Sequence, residues 1–272
     1  MNNTYPIVYT IAGSDSSGGA GAQADLKVFS KLNTHGCSII TVVTAQNTQS
    51  VNDAIFLSNE IIESQCDSLI HDLPPNALKI SMVGNALELL IKKLVYLKKP
   101  TIFDPVIDSS SKYNFINKEQ LSKIKSHLLP LCSLVTPNLP EAKKLVGHDR
   151  YAIEDIAKCI IDFGSGAVLI KGGHAEDVIC KDFFYDGKNK FYLESPRLKN
   201  TMFHGTGCVL SAAITSYIAM GESLTDAIIL AKAYLNQLLN NSPEIGNGDR
   251  LISIQVPCND SQYKPNIVCF DQ

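Results

Sequence analysis

The segment His204-Gly-Thr-Gly-Cys208 stands directly before an apolar stretch of helical length. Its small residues Gly205, Thr206 and Gly207 allow successive backbone N–H groups to turn toward one point at the start of a helix, where the helix dipole also favours an anion. Cys208 would lie in the first helical turn, where the pKa of a thiol falls and a thiolate becomes available as a base or nucleophile. The segment predicts an anion-binding turn beside a reactive thiol. The alternative is a glycine-rich loop that only begins a buried helix.

Two carboxylates and one amine follow apolar runs of strand character. Asp104 closes one such run, and Glu141 follows another within Thr136-Pro-Asn-Leu-Pro-Glu141. Carboxylates at strand ends suit hydrated Mg²⁺, which keeps several waters and takes few protein ligands, although either carboxylate could instead cap a helix. Lys171 ends a third apolar run and precedes two glycines, so its amine could reach a phosphoryl group during transfer.

Gln46 and Met82 follow two further apolar runs and suit an aromatic heterocycle. The amide of Gln46 is both donor and acceptor, which matches a ring nitrogen beside an amino group, whereas the alternative is a polar turn. Met82 could cover a ring, or it could be an ordinary core methionine. Asp25 lies early in the first predicted helix, where it could bind a ligand or only complement the helix dipole.

The common nucleotide-binding motifs are missing from the sequence. The stretch Gly19-Ala-Gly-Ala-Gln-Ala24 fits the loose Gly-x-Gly-x-x-Ala pattern. No acidic residue follows it at a distance of about 20 residues to hold a ribose, and no Gly-x-x-x-x-Gly-Lys-Ser/Thr segment occurs. A dinucleotide site of this type and a P-loop are therefore excluded, and nucleotide phosphates would have to be held in another way.

The elements that must position these residues alternate between strand-like and helical runs. The predicted strands are 7–12, 38–45, 77–83, 100–105, 133–136 and 167–171, and the predicted helices are 20–32, 61–71, 87–97, 119–128, 140–146 and 153–163. This alternation predicts an α/β fold with a mostly parallel, doubly wound sheet, helices on both faces, and ligands outside the carboxyl ends of the strands. Residues 178–185 and 190–193 predict a small antiparallel hairpin, which precedes helices at 207–220 and 223–240.

Composition and charge restrict the class of protein further. No linker-like segment divides the chain, so we expect residues 1–272 to form a single domain with a loop-rich tail after Asn241. A net charge of −3 without a polybasic run argues against nucleic acid and membrane surfaces and favours small-molecule partners. The absence of a transmembrane-length run and of a secretory leader predicts a cytoplasmic protein. The 8 cysteines contain no Cys-x-x-Cys pair, which favours reduced thiols over a zinc site.

Six ordered segments together resemble the hydroxymethylpyrimidine / phosphomethylpyrimidine kinases of the ribokinase-like superfamily, and the resemblance covers nearly the whole chain. The segments are 12–25, 45–48, 104–106, 136–141, 171–174 and 204–208. The resemblance implies a ribokinase-like fold, a homodimer, and ATP- and Mg²⁺-dependent phosphorylation of 4-amino-5-hydroxymethyl-2-methylpyrimidine and then of its monophosphate. Those reactions supply the pyrimidine diphosphate for thiamine biosynthesis.

The resemblance also implies roles for residues at matching positions. The pyrimidine pocket would be lined by Gly13, Asp25, Gln46, Met82 and Val106. The anion hole would consist of Gly205, Thr206, Gly207 and Cys208, with the Cys208 side chain as the base. ATP would be contacted by Asn138, Lys171 and Thr206, of which Lys171 would neutralise the transferring phosphate. Asp104 and Glu141 would organise Mg²⁺, mostly through water.

The chain departs from the family pattern at three places, one of which is the tail after Arg250, which the resemblance does not explain. Met202-Phe203 stand where Asn-Thr is usual, with Asn200-Thr201 displaced upstream, and residues 107–113 replace a Lys-Ser-Gly segment, so a phosphate contact could move to Lys112. These departures keep open the alternative of a catalytically silent regulator that binds a pyrimidine. A second alternative is a pyridoxal kinase of the same cysteine-bearing branch, against which the paired donor and acceptor of Gln46 argue.

Overall fold

The β-rich and helical runs of the chain form a large sheet with helices on both faces in the computed structural model, which describes residues 5–107, 116–173, 178–198, 202–255 and 263–270. The strands are β1 (Ile7–Asp15), β2 (His35–Gln46), β3 (Val51–Phe56), β4 (Ala77–Ile80), β5 (Thr101–Phe103), β6 (Leu134–Val135), β7 (Val168–Ile170), β8 (Ile179–Tyr185), β9 (Lys190–Pro196), β10 (Phe203–His204), β11 (Arg250–Leu251) and β12 (Asn266–Cys269). The helices are α1 (Gly21–Lys31), α2 (Asn59–Asp72), α3 (Leu87–Leu97), α4 (Lys118–Lys123), α5 (Leu139–Val146), α6 (Ile153–Asp162), α7 (Thr206–Ala219) and α8 (Leu224–Asn241).

The order of strands within the described part of the sheet is β12-β9-β8-β7-β6-β5-β4-β1-β2-β3. The strands from β2 to β7 in this order pair in parallel, whereas β3 at one edge and β8, β9 and β12 at the other pair antiparallel. The predicted mostly parallel sheet and the predicted hairpin are confirmed. Because the carboxyl ends of parallel strands meet at one edge of a sheet, the loops after β1, β2, β4, β5, β6 and β7 converge there.

Buried apolar side chains form a core on each face of the sheet. Successive residues of a strand point to opposite faces, so that Phe103 packs with α2 and α3 on one side while Ile102 packs with α1, α7 and α8 on the other. Helix α7 is apolar nearly all round and has buried residues from Val209 to Ser216. Such a helix must be covered on all sides, and α1 and α8 pack against it. This packing holds the first turn of α7 over the strand ends.

The structure differs from the prediction at the sheet edges and after Asn241. Strand β3 was not predicted because it contains Asn52 and Asp53, which are unfavourable in strands, and its side chains are largely exposed. The tail was expected to be loop, and that expectation was wrong at β11, which pairs with β10, and at β12, which pairs with β9. The helix predicted over 119–128 keeps α-helical geometry only to Lys123 and continues as a π-helical turn.

Among the described residues, no helix combines the length and the hydrophobicity that crossing a bilayer requires.

Candidate active site

A cavity of 280 Å³ lies outside the carboxyl ends of the parallel strands. Its wall comes from the carboxyl-terminal ends of β1 and β2, from the loops that follow β1, β4, β5, β6 and β7, and from the first turn of α7. Every predicted site residue except Asp25 lines it, and these residues are Gly13, Gln46, Met82, Asp104, Val106, Asn138, Glu141, Lys171, Gly205, Thr206, Gly207 and Cys208. Residues far apart in the sequence therefore share one cavity.

The first turn of α7 begins at a glycine whose conformation other residues rarely adopt. Gly205 has φ of 85°, and a Cβ atom there would lie 1.9 Å from the backbone oxygen of Gly19. This close approach of the loop before α1 leaves room only for glycine. The first turn of α7 lines the cavity, and the first N–H groups of a helix have no partner within the helix. The anion-binding role of this turn stays a prediction.

Lys171 and Asp104 form an ion pair at this turn. The Nζ atom of Lys171 lies 2.6 Å from Oδ1 of Asp104, and the Asp104 carboxylate also accepts hydrogen bonds from Thr136 (3.0 Å) and Ser211 (3.1 Å). A Cβ atom at Gly207 would lie 2.8 Å from the Lys171 amine, so the absence of a side chain at Gly207 leaves space for this amine. An amine, a carboxylate and a helix N-terminus thus meet at one point.

Each partner of this pair keeps the other charged. Burial alone would raise the pKa of Asp104, but the ammonium groups of Lys171 and Lys79 outweigh it and hold that pKa below its ordinary value. Burial likewise would lower the pKa of Lys171, and the carboxylates of Asp104 and Glu141 hold it above its ordinary value instead. A permanent positive charge therefore faces the cavity near neutral pH.

Glu141 both caps helix α5 and lines the cavity. Its Oε2 accepts a hydrogen bond from the Asn138 N–H (2.8 Å), and its own N–H donates to Oδ1 of Asn138 (2.8 Å), which is a capping box. The helix-capping alternative is therefore confirmed, and because Glu141 also lines the cavity its role toward Mg²⁺ stays a prediction. Burial raises the pKa of Glu141 to about 7, and the Lys171 charge opposes this only in part.

The Cys208 thiol departs from the prediction. Burial raises its pKa to about 11, and the carboxylates of Asp25 and Asp104 add to the effect, although Lys79 opposes it. The position at a helix N-terminus was expected to lower the pKa of this thiol, and that expectation was wrong because burial raises the pKa by more than the Lys79 charge and a backbone hydrogen bond from Gly21 lower it. Cys208 is a protonated thiol at neutral pH.

Asp25 does not line the cavity, which corrects its prediction as a substrate contact. Its carboxylate is fully buried beneath the site, where Thr10 donates to it (2.5 Å) and the ammonium of Lys79 forms an ion pair with it. Lys79 also donates to the backbone oxygen of Cys208 (3.2 Å). The second turn of α1 faces the sheet, so the carboxylate points toward β1 and β4 rather than into the cavity.

The wall suited to a heterocycle combines Gln46 with apolar groups. The Gln46 Nε2 atom lies 3.0 Å from Nε2 of His204, and its Oε1 lies 3.3 Å from the Thr44 hydroxyl. Met82 stands against Gly13, where a Cβ atom would meet its sulfur at 3.1 Å, and Val106 lies on the same cavity. The missing side chain of Gly13 therefore leaves space for the Met82 thioether.

Sequence reasoning missed four polar residues of this region. Asp15 organises the loop before α1, and its pKa is lowered because hydrogen bonds from His204 and Ser17 outweigh burial. Ser211 lies one helical turn after Gly207, and that spacing could have predicted its contact with the site. Lys79 interrupts an apolar strand, a signal that a buried partner must exist. His204 stands inside the glycine-rich segment itself.

The donors present fit a hydrated magnesium ion. Among the described residues no cluster of three or more His, Cys, Asp or Glu side chains could enclose a metal. Mg²⁺ needs no such cage, since it retains waters and is held by one or two carboxylates together with substrate phosphates. Asp104 and Glu141 supply two carboxylates on one cavity. Both Asp104 oxygens already accept hydrogen bonds, which favours contact through water.

Three residues named in the sequence analysis, Lys112, Asn200 and Thr201, lie outside the described part of the chain, as does residue 174 at the end of the segment 171–174.

The sequence matches known kinases over most of its length. A family model described as phosphomethylpyrimidine kinase matches residues 15–253. The hydroxymethylpyrimidine/phosphomethylpyrimidine kinase of Rhizobium meliloti is 40% identical over 250 residues, which cover 89% of this chain and 94% of that protein. The protein with the same name from Synechococcus elongatus is 40% identical over 249 residues, covering 89% and 95%.

Solved structures with the same fold include a pyridoxal kinase and a phosphomethylpyrimidine kinase. Pyridoxal kinase from Staphylococcus aureus in complex with ADP has a TM-score of 0.85 and 31% identity, with 93% of this chain and 94% of that chain covered. Phosphomethylpyrimidine kinase from Clostridium difficile has a TM-score of 0.75 and 36% identity, with 86% and 99% covered.

Proposed function

The chain belongs to the phosphomethylpyrimidine kinase family, and on this premise we propose that it transfers a phosphoryl group from ATP to the hydroxymethyl group of 4-amino-5-hydroxymethyl-2-methylpyrimidine, and then a second one to the monophosphate. The fold is ribokinase-like, and residues 1–272 would act as a single kinase domain that feeds thiamine biosynthesis. The observation that carries the proposal is the single cavity shared by a heterocycle wall and a phosphoryl-binding turn.

Gln46 would read the pyrimidine, because its amide can donate to a ring nitrogen while accepting from the neighbouring amino group. The Gln46 amide contacts His204, and pairing with the ring would replace that contact. Met82 and Val106 would cover the apolar faces. The hydroxymethyl arm would then point toward Cys208 and the α7 turn.

Lys171 and the α7 turn would supply most of the charge neutralisation. Phosphoryl transfer passes through a loose transition state, for which in-line positioning and electrostatic stabilisation matter more than covalent help. The N–H groups of the turn from Gly205 to Cys208 and the Lys171 amine would converge on the transferring group, with Asn138 and Thr206 contacting ATP. Bound Mg²⁺ would neutralise phosphate charge, held by Asp104 and Glu141 through water.

Cys208 would orient the substrate hydroxyl as a neutral thiol. It would not need to ionise to a thiolate before the reaction begins. Its pKa of about 11 leaves the thiol protonated at neutral pH. A loose transition state requires proton removal only late, after the bond to phosphorus has begun to form. Thiolate formation is therefore not a condition for the reaction.

Pyridoxal is the second candidate substrate, and the observation in its favour is the TM-score of 0.85 to a pyridoxal kinase. Steady-state kinetics with both substrates decide between the two. We expect kcat/KM for the pyrimidine to exceed that for pyridoxal by at least about tenfold, because a site built to pair both polar groups of the ring rejects an analogue that leaves them unpaired. A higher kcat/KM for pyridoxal would reverse the assignment, and pyrimidine binding without ATP consumption would indicate a silent regulator.

A further inference from the structure

Asp182 and Lys232 form a buried ion pair that does not line the cavity. Asp182 lies in β8 and Lys232 in α8, with Nζ 2.6 Å from Oδ2 and side chains that are 2% and 6% exposed, respectively. The sulfur of Cys180 lies 3.8 Å from this amine. Removal of two charges from water costs several kcal/mol, so a buried ion pair is weak evidence for stability alone. The geometry of its remaining contact points to a role in the site.

The second oxygen of Asp182 reaches the loop that carries Lys171. Oδ1 accepts a hydrogen bond from the N–H of Gly172 (2.9 Å), the residue that follows Lys171. The N–H of Lys171 itself donates to the backbone oxygen of Pro137 (2.8 Å). The peptide groups on both sides of the Lys171 Cα atom are therefore fixed, and with them the direction in which its side chain leaves the strand.

Arg197 holds the same loop from its carbonyl side. Its guanidinium donates to the backbone oxygens of Gly172 (2.9 Å) and Gly173 (2.7 Å). A Cβ atom at Gly172 would lie 2.0 Å from the backbone oxygen of Lys181, so the loop lies directly against β8. Both polar groups of Gly172 are thus paired with charged side chains, which make stronger hydrogen bonds than neutral ones.

Lys232 keeps the carboxylate in place. Burial would lower the pKa of Lys232, but the charge of Asp182 outweighs it and holds the pKa above its ordinary value. The ammonium therefore remains charged, satisfies Oδ2, and leaves Oδ1 directed at Gly172.

We propose that Asp182, oriented by Lys232, and Arg197 are positioning residues that hold Lys171 and its glycine loop in the geometry for phosphoryl transfer. The inference rests on the proposed role of Lys171. Because none of the three lines the cavity, their loss should reduce kcat much more than it raises KM for the pyrimidine.

Two double variants distinguish the effect of losing the hydrogen-bond acceptor for Gly172 from the effect of losing the Asp182–Lys232 charges. Asp182→Leu with Lys232→Met replaces the pair by apolar groups and removes the acceptor for Gly172, while Asp182→Asn with Lys232→Met removes both charges but keeps an acceptor. We expect the first to lower kcat by about tenfold or more with an unchanged KM for the pyrimidine, and the second to recover most of the loss. Equal kcat values in the two double variants, or parental kcat in the first, would overturn the proposal.

Hydrogen exchange of the Gly172 amide gives a readout independent of activity. We expect exchange at Gly172 to accelerate by about tenfold or more in the leucine variant and not in the asparagine variant, with β7 amides unchanged. Unchanged exchange would contradict the proposal. If the leucine variant does not fold, Arg197→Met is judged by the same kcat and exchange criteria. A parent protein without kinase activity would instead refute the proposed function, and the exchange data would still test the positioning.

Discussion

The Lys171 side chain lies between a carboxylate, the first turn of α7 and the cavity. Its amine pairs with Asp104, stands over Gly207 in the first turn of α7, and faces the cavity. The pairing costs no reorganisation at the moment of reaction, because the charge is already desolvated and oriented. Lys171 therefore contributes more to the electrostatics of the proposed reaction than the Cys208 thiol does.

Lys171→Met should lower kcat by about 100- to 1,000-fold, since a preorganised charge at the transferring group is removed. KM for the pyrimidine should change little, because the amine does not contact the ring wall. Steady-state kinetics measure both quantities, and the exposed Lys188 in the β8–β9 turn offers Lys188→Met as a matched control. A Lys171→Met enzyme that keeps nearly parental kcat while folded would remove this residue from the mechanism.

Alkylation of Cys208 should be slow at neutral pH and should accelerate about tenfold per pH unit until the pH approaches the pKa of about 11. The thiolate is the reactive species, and burial keeps the proton on the sulfur. Mass spectrometry of the Cys208 peptide after timed iodoacetamide treatment gives the rate, with the exposed Cys269 as an internal control for reagent. A rate that reaches its plateau below about pH 9 would show that the thiol ionises readily after all.

Helix α5 connects the folding stability of the protein to the protonation of Glu141 in the site. Its capping box places Glu141 where burial raises the carboxyl pKa from 4.5 to about 7. The folded protein then binds this proton more tightly than the unfolded chain does. Stability from this group is therefore present at low pH and is lost as the pH rises from about 4.5 to about 7.

Glu141→Gln should remove that loss while keeping the hydrogen bond of the cap, since glutamine also serves in a capping box. The free energy of unfolding of the variant should rise relative to the parent by about 1–3 kcal/mol between about pH 5 and about pH 8. Urea unfolding at both pH values measures this, with the exposed Glu119→Gln as control. Parallel pH profiles for variant and parent would contradict the raised pKa.

The sequence predicts the regular elements better than it predicts their partners. The alternation through β7 and the hairpin of β8 and β9 follow from local periodicity. The pairing of β10 with β11 could not be predicted in this way. Strands of two residues are too short to show a periodicity, and Phe203 and Arg250, which pair in the folded chain, are far apart in the sequence. The predictions for Asp25 as a substrate contact and for a lowered pKa of Cys208 were wrong for a related reason. The sequence indicates the position of a residue in a helix, whereas its burial and the direction of its side chain depend on the packed neighbours.

For the whole molecule, we propose a homodimer, which is the assembly that the resemblance to the kinase family implies. Sedimentation equilibrium should give a species of twice 29.6 kDa over a range of protein concentrations. A constant mass of 29.6 kDa would contradict the dimer and leave the kinase assignment untouched.

A cavity that brings a pyrimidine and a phosphoryl-binding turn together should phosphorylate the pyrimidine that it binds. The decisive experiment incubates the purified protein with Mg²⁺-ATP and 4-amino-5-hydroxymethyl-2-methylpyrimidine and identifies the products by mass spectrometry, with Lys171→Met as the negative control. We predict that the parent protein forms the monophosphate and then the diphosphate, with ADP released in step. Folded protein that binds the pyrimidine and forms neither phosphate would contradict the account.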